Sequence, residues 1–195
     1  MQIRKETAVV LHQYARHLKN LPPEDRYTRF GYSVKDEIID QVILDMLYHP
    51  NDHHLFVAES NDQILGFGHL ARQSADWELA VSVDRSAQGQ GVGNALMHEM
   101  IKWGKLHGIH SVFMHCITEN KKIQHLARKY GLRTVERCGA EVTAQVELPD
   151  PTIIDYTRNY LEEQRDLIAQ MTELQQKFWA SLSPGAIFKQ NDLVN

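Results

Sequence analysis

The chain has 195 residues, enough for one domain or for one domain plus an appendage, and a chain of this size buries roughly 70% of its unfolded surface. Hydrophobic residues at 43% and charged residues at 24% are ordinary for a soluble globular protein. A net charge of -4 with no long Lys/Arg block argues against a nucleic-acid partner, and no apolar run nears the roughly 20 residues needed to span a bilayer.

Residues 1–6 hold no apolar stretch of signal-peptide length, and Cys116 and Cys138 read as free thiols, so a cytoplasmic protein is expected. The first fifty residues read as helical. Val9, Val10, Tyr14 and Leu18 share one face of a helix that Pro22-Pro23 must end. Ser33 ahead of Asp36-Glu37 reads as the N-cap of a second helix, whose stripe is Ile38, Ile39, Val42, Ile43, Met46 and Leu47. The period then changes. Residues 55–59 and 64–71 form a β-hairpin around Ser60-Asn61-Asp62, and residues 77–83 form a further strand with Leu79, Val81 and Val83 alternating against Glu78, Ala80 and Ser82. A Gly-rich loop leads into a helix with Val92, Leu96, Met100 and Trp103 on its apolar face. An apolar strand (111–118), a short helix (120–130) closed by Gly131, and two strands flanking Gly139 follow. This βαβα succession predicts an α/β fold, a partly parallel mixed sheet with helices on its faces.

The loop Gln88-Gly89-Gln90-Gly91-Val92-Gly93 lies between a strand and a helix N-terminus, where free N–H groups and the positive dipole end favour phosphate. A P-loop would need Gly-Lys-Ser/Thr, and Gly93 is followed by Asn94-Ala95. A dinucleotide fingerprint needs another glycine spacing. Gln88-x-x-Gly91-x-Gly93 instead matches the Q/R-x-x-G-x-G/A signature with which GNAT acetyltransferases hold the pyrophosphate of coenzyme A. Residues 55–148 resemble a GNAT core in order and spacing, down to Lys129-Tyr130-Gly131-Leu132, similar to the family's K-x-G-F ending.

The resemblance implies acetyl-CoA as co-substrate, with Val81, Ser82 and Val83 along the pantetheine arm and Gln88, Gly89, Gln90, Gly91, Val92, Gly93 and Asn94 around the pyrophosphate. Asn120 would touch the coenzyme or cap its helix. It also places Glu78 where many relatives carry a general base, needed because a lysine-like amine is protonated near neutral pH. A backbone N–H near Val83 would polarise the thioester carbonyl. The family's usual acid tyrosine is absent: four residues before Gly131 stands Ala127, and Tyr130 points elsewhere, which leaves a thiolate that departs unaided or through water, or a group such as His115 or His125.

The acceptor is expected to be a primary amine. Protein lysine is favoured because the segment Leu126-Ala127-Arg128-Lys129 and the N-terminal stretch 21–30 look like those of bacterial protein-lysine acetyltransferases; small amines stay open. Glu24, Asp25, Asp36, Glu37 and Asp40 read as a solvated helix face in preference to the lining of a cleft for a cation. His49, His53, His54, His107 and His110 lack ligand spacing and read as loop histidines, so no metal is expected. The rival reading is a non-catalytic acyl-CoA-binding or sensing module.

Pro149-Asp150-Pro151 marks a boundary between a domain over 1–150 and a helical extension over 151–195. In the extension Leu167, Met171, Leu174, Phe178 and Leu182 recur at helical spacing until Pro184-Gly185. That stripe would pack on its own core, pair two copies as a homodimer, or serve as a regulatory or partner-docking arm.

Overall fold

The computed structural model describes residues 1–6 and 10–181; Val9, Leu182 and Pro184-Gly185, named above, lie outside them. The chain divides into two compact units, Met1–Asp150 and Pro151–Asn195.

Seven strands of the first unit form one mixed sheet: β1 (Gln2–Glu6), β2 (His53–Ser60), β3 (Gln63–Gln73), β4 (Asp76–Val83), β5 (Ser111–Ile117), β6 (Arg133–Cys138) and β7 (Glu141–Glu147). Their spatial order is β1-β2-β3-β4-β5-β7-β6. Every pairing is antiparallel except β4 with β5. Helices α1 (Leu11–Asn20), α2 (Pro23–Phe30), α3 (Asp36–Tyr48), α4 (Val92–Leu106) and α5 (Lys121–Lys129) complete this unit.

Side-chain alternation builds a core on each face of the sheet. Phe56, Leu70 and Leu79 pack with Leu96, Met97 and Met100 of α4. Leu55, Val57 and Phe67 pack with Tyr14 and Leu18 of α1 and Ile39 of α3. The hairpin turn forms as its sequence predicts: Asn61 and Asp62 take φ of 51° and 60°, the paired left-handed conformations of a type I′ turn.

Three expectations for the N-terminal region change. Residues 2–6 form the edge strand β1, paired with β2 in register Gln2↔Glu59, instead of leading into a helix. Ile3 is the only aliphatic residue among those five, so no alternation announces the strand. Between the two predicted helices a separate one, α2, begins where Pro23 supplies a fixed φ at the first turn. The N-cap of α3 is Lys35 and not Ser33, and it makes no side-chain cap hydrogen bond.

The second unit contains α6 (Ile153–Ser181), opened by a reciprocal cap in which Asp155 Oδ2 accepts the Thr152 N–H at 2.7 Å and Thr152 Oγ1 accepts the Asp155 N–H at 3.3 Å. No side chain of α6 is buried.

Candidate active site

The parallel pairing of β4 with β5 is brief. It joins Trp77 to Val112 and Glu78 to Phe113 and then stops, while β4 continues to Val83 and β5 to Ile117. Each strand keeps its antiparallel partner on the outer side, through Val83 on β4 and Ile117 on β5. A wedge therefore opens between the carboxyl ends of two parallel strands, and the inner backbone edge of Leu79 to Val83 is left for a ligand. Open α/β sheets bind ligands at such a place.

The loop after β4 closes one side of the wedge. Residues Arg85–Ala87 make a single 3-10 turn, and Gly89 and Gly91 follow with φ of 78° and 84°. A Cβ at either glycine would meet nothing within 4 Å, so the left-handed backbone, and not crowding, calls for glycine there. Gly91 is the N-cap of α4 and has no side chain to satisfy the first-turn N–H groups, which stay available to an anion.

Side chains brace this loop from both sides. Gln88 Nε2 donates to Asp25 Oδ2 and to the Val83 carbonyl, both at 3.4 Å, and Lys122 Nζ of α5 donates to Gln88 Oε1 at 3.5 Å. At the first turn of α4, Tyr130 Oη donates to the Asn94 carbonyl at 2.9 Å, and Lys129 Nζ donates to Asn94 Oδ1. Tyr130 thus clamps α5 to α4, and burial, reinforced by Glu99, holds its phenol above the ordinary range. Asn120 is an N-cap: its Oδ1 accepts the Ile123 N–H at 3.2 Å. Ala127 is buried in the core at 2% exposure.

On the opposite face of the sheet from α4 lies a cavity of about 540 Å³. Glu78 and Ala80 of β4 line it from one side of the wedge, and His115 and Cys116 of β5 line it from the other. Its remaining wall carries Asp45, His53, His69, Glu141, Arg29 and the aromatic rings of Phe30 and Tyr32. His115 Nδ1 lies 3.0 Å from Thr143 Oγ1, which fixes the ring. The Cys116 thiol is pushed up by burial, as suits an inert core thiol. His125, the other sequence candidate for an acid, is on α5 and does not line the cavity.

The cavity contains none of the acidic residues of the N-terminal helices singled out from sequence. Glu24 and Asp25 pair with Arg85 at 2.9 and 3.4 Å, Asp36 pairs with Arg26 at 2.9 Å, and Asp40 pairs with Lys19 at 2.6 Å. The carboxylates that do face it are Asp45, Glu78 and Glu141. His53 and His54 correct a further expectation, since they open β2 and do not sit in a loop. Sequence reading missed His53 and His69 as cavity residues, because only the β2–β3 register brings them together. Among the described residues no group of three or more His, Cys, Asp or Glu is arranged to hold a metal ion.

Residues 15–132 match the model of the acetyltransferase (GNAT) family. The chain belongs to this family. It is an acetyl-CoA-dependent GNAT N-acetyltransferase, and the wedge and loop fit that co-substrate: an unpaired strand edge for an extended arm, then open glycines and free N–H groups for a pyrophosphate. The fold is similar to that of ribosomal-protein-alanine N-acetyltransferase from Brucella melitensis, with TM-score 0.57 and 20% identity over 76% of this chain and 100% of that one. It is also similar to the spermidine/spermine N-acetyltransferase SpeG from Vibrio cholerae, with TM-score 0.56 and 17% identity over 75% of this chain and 94% of that one. PaiA N-acetyltransferase from Thermoplasma acidophilum, in complex with coenzyme A, gives TM-score 0.57 and 16% identity over 75% of this chain and 99% of that one. No curated protein matches the chain.

Proposed function

We propose that this GNAT enzyme transfers acetyl to a primary amine held in the 540 Å³ cavity, with Glu78 as general base and His115 as general acid. One observation carries this reading: the two side chains line the same cavity from β4 and β5, the strands that part to form the wedge. Glu78 takes the proton that makes the amine a nucleophile. The backbone N–H near Val83 faces the developing oxyanion, and His115 supplies the proton that the departing thiolate needs. Acetyl-CoA supplies the activated acyl group. Val81, Ser82 and Val83 would hold its pantetheine arm, and Gln88, Gly89, Gln90, Gly91, Val92, Gly93 and Asn94 its pyrophosphate; Asn120 acts through the cap of α5.

Three carboxylates against one guanidinium give the cavity a negative balance that suits a cationic amine, and Glu78 is the carboxylate that would take its proton. Proteins of similar fold include enzymes named for ribosomal-protein alanine and for spermidine or spermine, so the fold leaves the acceptor open. A protein lysine is our preferred acceptor, on the segments 21–30 and 126–129. We further propose a cytoplasmic enzyme whose catalytic domain is 1–150 and whose extension 151–195 pairs two copies.

The test is acetyl-CoA-dependent thiol release with a pooled amine set and a lysine-peptide library. Glu78→Gln should lower kcat by about 10²- to 10⁴-fold while acetyl-CoA still raises the melting temperature. No release by the wild-type chain, with that thermal shift intact, would favour the acyl-CoA-binding module instead.

A further inference from the structure

The register across β2, β3 and β4 sets two rows on the cavity face of the sheet: His53, Ala71 and Glu78 in one, Leu55, His69 and Ala80 in the next. Ala71 and Ala80 are small, so the imidazoles and Glu78 stand around a floor without bulk. His53 Nδ1 is 3.0 Å from His69 Nε2, and His53 Nε2 is 3.0 Å from Asp45 Oδ2. His69 is buried at 5% exposure, whereas the Asp45 side chain is 55% exposed on α3. All three line the cavity, and consecutive hydrogen bonds connect its buried part at His69 to the exposed carboxylate of Asp45 on the same wall. The rings are aligned end to end and do not converge on a point, which is the geometry of a proton path and not of a metal site.

The hydrogen-bond directions follow from the carboxylate. Asp45 accepts, so the neutral His53 carries its proton on Nε2 and presents a bare Nδ1. His69 must then donate its Nε2–H to that nitrogen, which leaves His69 Nδ1 as a free base. Burial first, and then Arg29, His53 and His54, hold His69 well below the ordinary imidazole range, so it is neutral between turnovers. The other charged or titratable groups facing the path are Glu78 on β4 and His49 on α3, whose Nδ1 lies 2.8 Å from Asp45 Oδ1. The ring of Tyr14 on α1 packs edge-on against His69 at 5.8 Å.

Amide formation from an ammonium and a thioester yields amide, thiol and one net proton. The ammonium gives up two protons; the thiolate keeps one, and the other must leave the site before the base can act again. We propose that His69, His53 and Asp45 are the proton outlet of the acceptor cavity, an inference that rests on amine acetylation there. A proton arriving at His69 Nδ1 displaces the Nε2 proton onto His53 Nδ1. The His53 Nε2 proton passes to Asp45 Oδ2 and from that exposed carboxylate to water. The rings then reorient to receive the next proton.

The first test needs no turnover. In the full-length protein with ¹⁵N-labelled histidine, NMR should show His69 as the neutral Nε2–H tautomer and the His53 ring with a proton on Nε2, toward Asp45. The buried His69 Nε2 proton should exchange with water at least tenfold faster in wild type than in Asp45→Asn, which keeps the shape and removes the exit. Equal exchange rates overturn the proposal. The second test is turnover with spermidine and with an Nα-acetyl-lysine amide. His53→Ala should lose about 10- to 100-fold in kcat with the KM for acetyl-CoA unchanged, and added imidazole should restore the rate. Wild-type kcat in His53→Ala, or a loss that imidazole does not repair at unchanged melting temperature, would show that His53 only packs. Glu78→Gln separates the two ideas: full activity there removes the assigned base, yet leaves the exchange difference as the measure of the relay.

Discussion

His54 shows how this chain uses imidazoles as packing groups. Its ring stacks on Trp77 at 5.3 Å and meets Trp103 at 4.2 Å, while Trp103 stacks on His107 at 3.9 Å. Burial first, then Lys5 and His107, lower its pKa to about 4 from 6.5. The unfolded chain therefore binds a proton at this position between about pH 6.5 and 4 that the folded chain refuses, so stability is present above that window and is lost as pH falls through it. His17 and His69, also lowered chiefly by burial, act with the same sign. Melting temperatures measured from pH 7 to 4 should fall, and His54→Gln should make the decline shallower; an unchanged slope would assign the effect to the other two. His17 has a second feature. Its Nδ1 lies 3.0 Å from Asp84 and its Nε2 2.9 Å from Ser82 Oγ, the connectivity of a hydrolytic triad. Asp84 accepts the Nδ1 proton, so Ser82 Oγ donates to Nε2; with Ser82 and His17 only 7% and 8% exposed and away from the cavity, the line ties α1 to β4.

At the scale of elements, the site depends on how closely β3 holds β4. A Cβ on Gly66 would lie 2.6 Å from the Ser82 carbonyl oxygen, against backbone that cannot yield cheaply. Gly66→Ala should cost about 1–3 kcal/mol and weaken acetyl-CoA binding, because the strand it displaces is the one that borders the wedge. Chemical denaturation paired with calorimetric titration reads both effects. Asn120→Ala tests α5 differently. As a pure cap it should lose about 1 kcal/mol of stability with the KM for acetyl-CoA within about twofold of wild type. A clear rise in KM would assign Asn120 a coenzyme contact as well. The loop at residues 88–93 and the helix after it were legible in the sequence because their conformations are local: glycines at left-handed φ and a helix N-terminus adjoin along the chain. The edge strand β1 was not, since a strand with one aliphatic residue is recognised only through the partner that takes up its backbone hydrogen bonds.

For the whole molecule, the second unit raises the question of assembly. Along α6, Ile154, Leu161, Ile168, Met171 and Phe178 recur at the three- and four-residue steps of a heptad seam, interrupted by Thr157, Gln164 and Gln175. All five apolar members are exposed, as are Leu167 and Leu174 beside them. Self-pairing through this stripe predicts a dimer mass in light scattering at tens of micromolar. Leu161→Asp with Met171→Asp should return a monomer, and a monomeric wild-type chain would remove the idea. Among the described residues no helix is long and apolar enough to cross a membrane.

The sequence by itself determined the family, the sheet-and-helix succession, the glycine loop ahead of α4 and Glu78 as the residue to test. Each of these is written in neighbouring residues: a period of two or of 3.6, a turn-former pair, glycines ahead of a helix. The tertiary structure decided which side chains share the cavity beside the wedge. It set Glu24, Asp25, Asp36 and Asp40 into ion pairs with Arg85, Arg26 and Lys19, and it drew His115 of the two histidine candidates to the same cavity as Glu78. It also joined Asp45, His53 and His69, which lie on three different elements. Register across paired strands and the splay of β4 from β5 are long-range properties, fixed by how whole faces bury together. No window of sequence contains them.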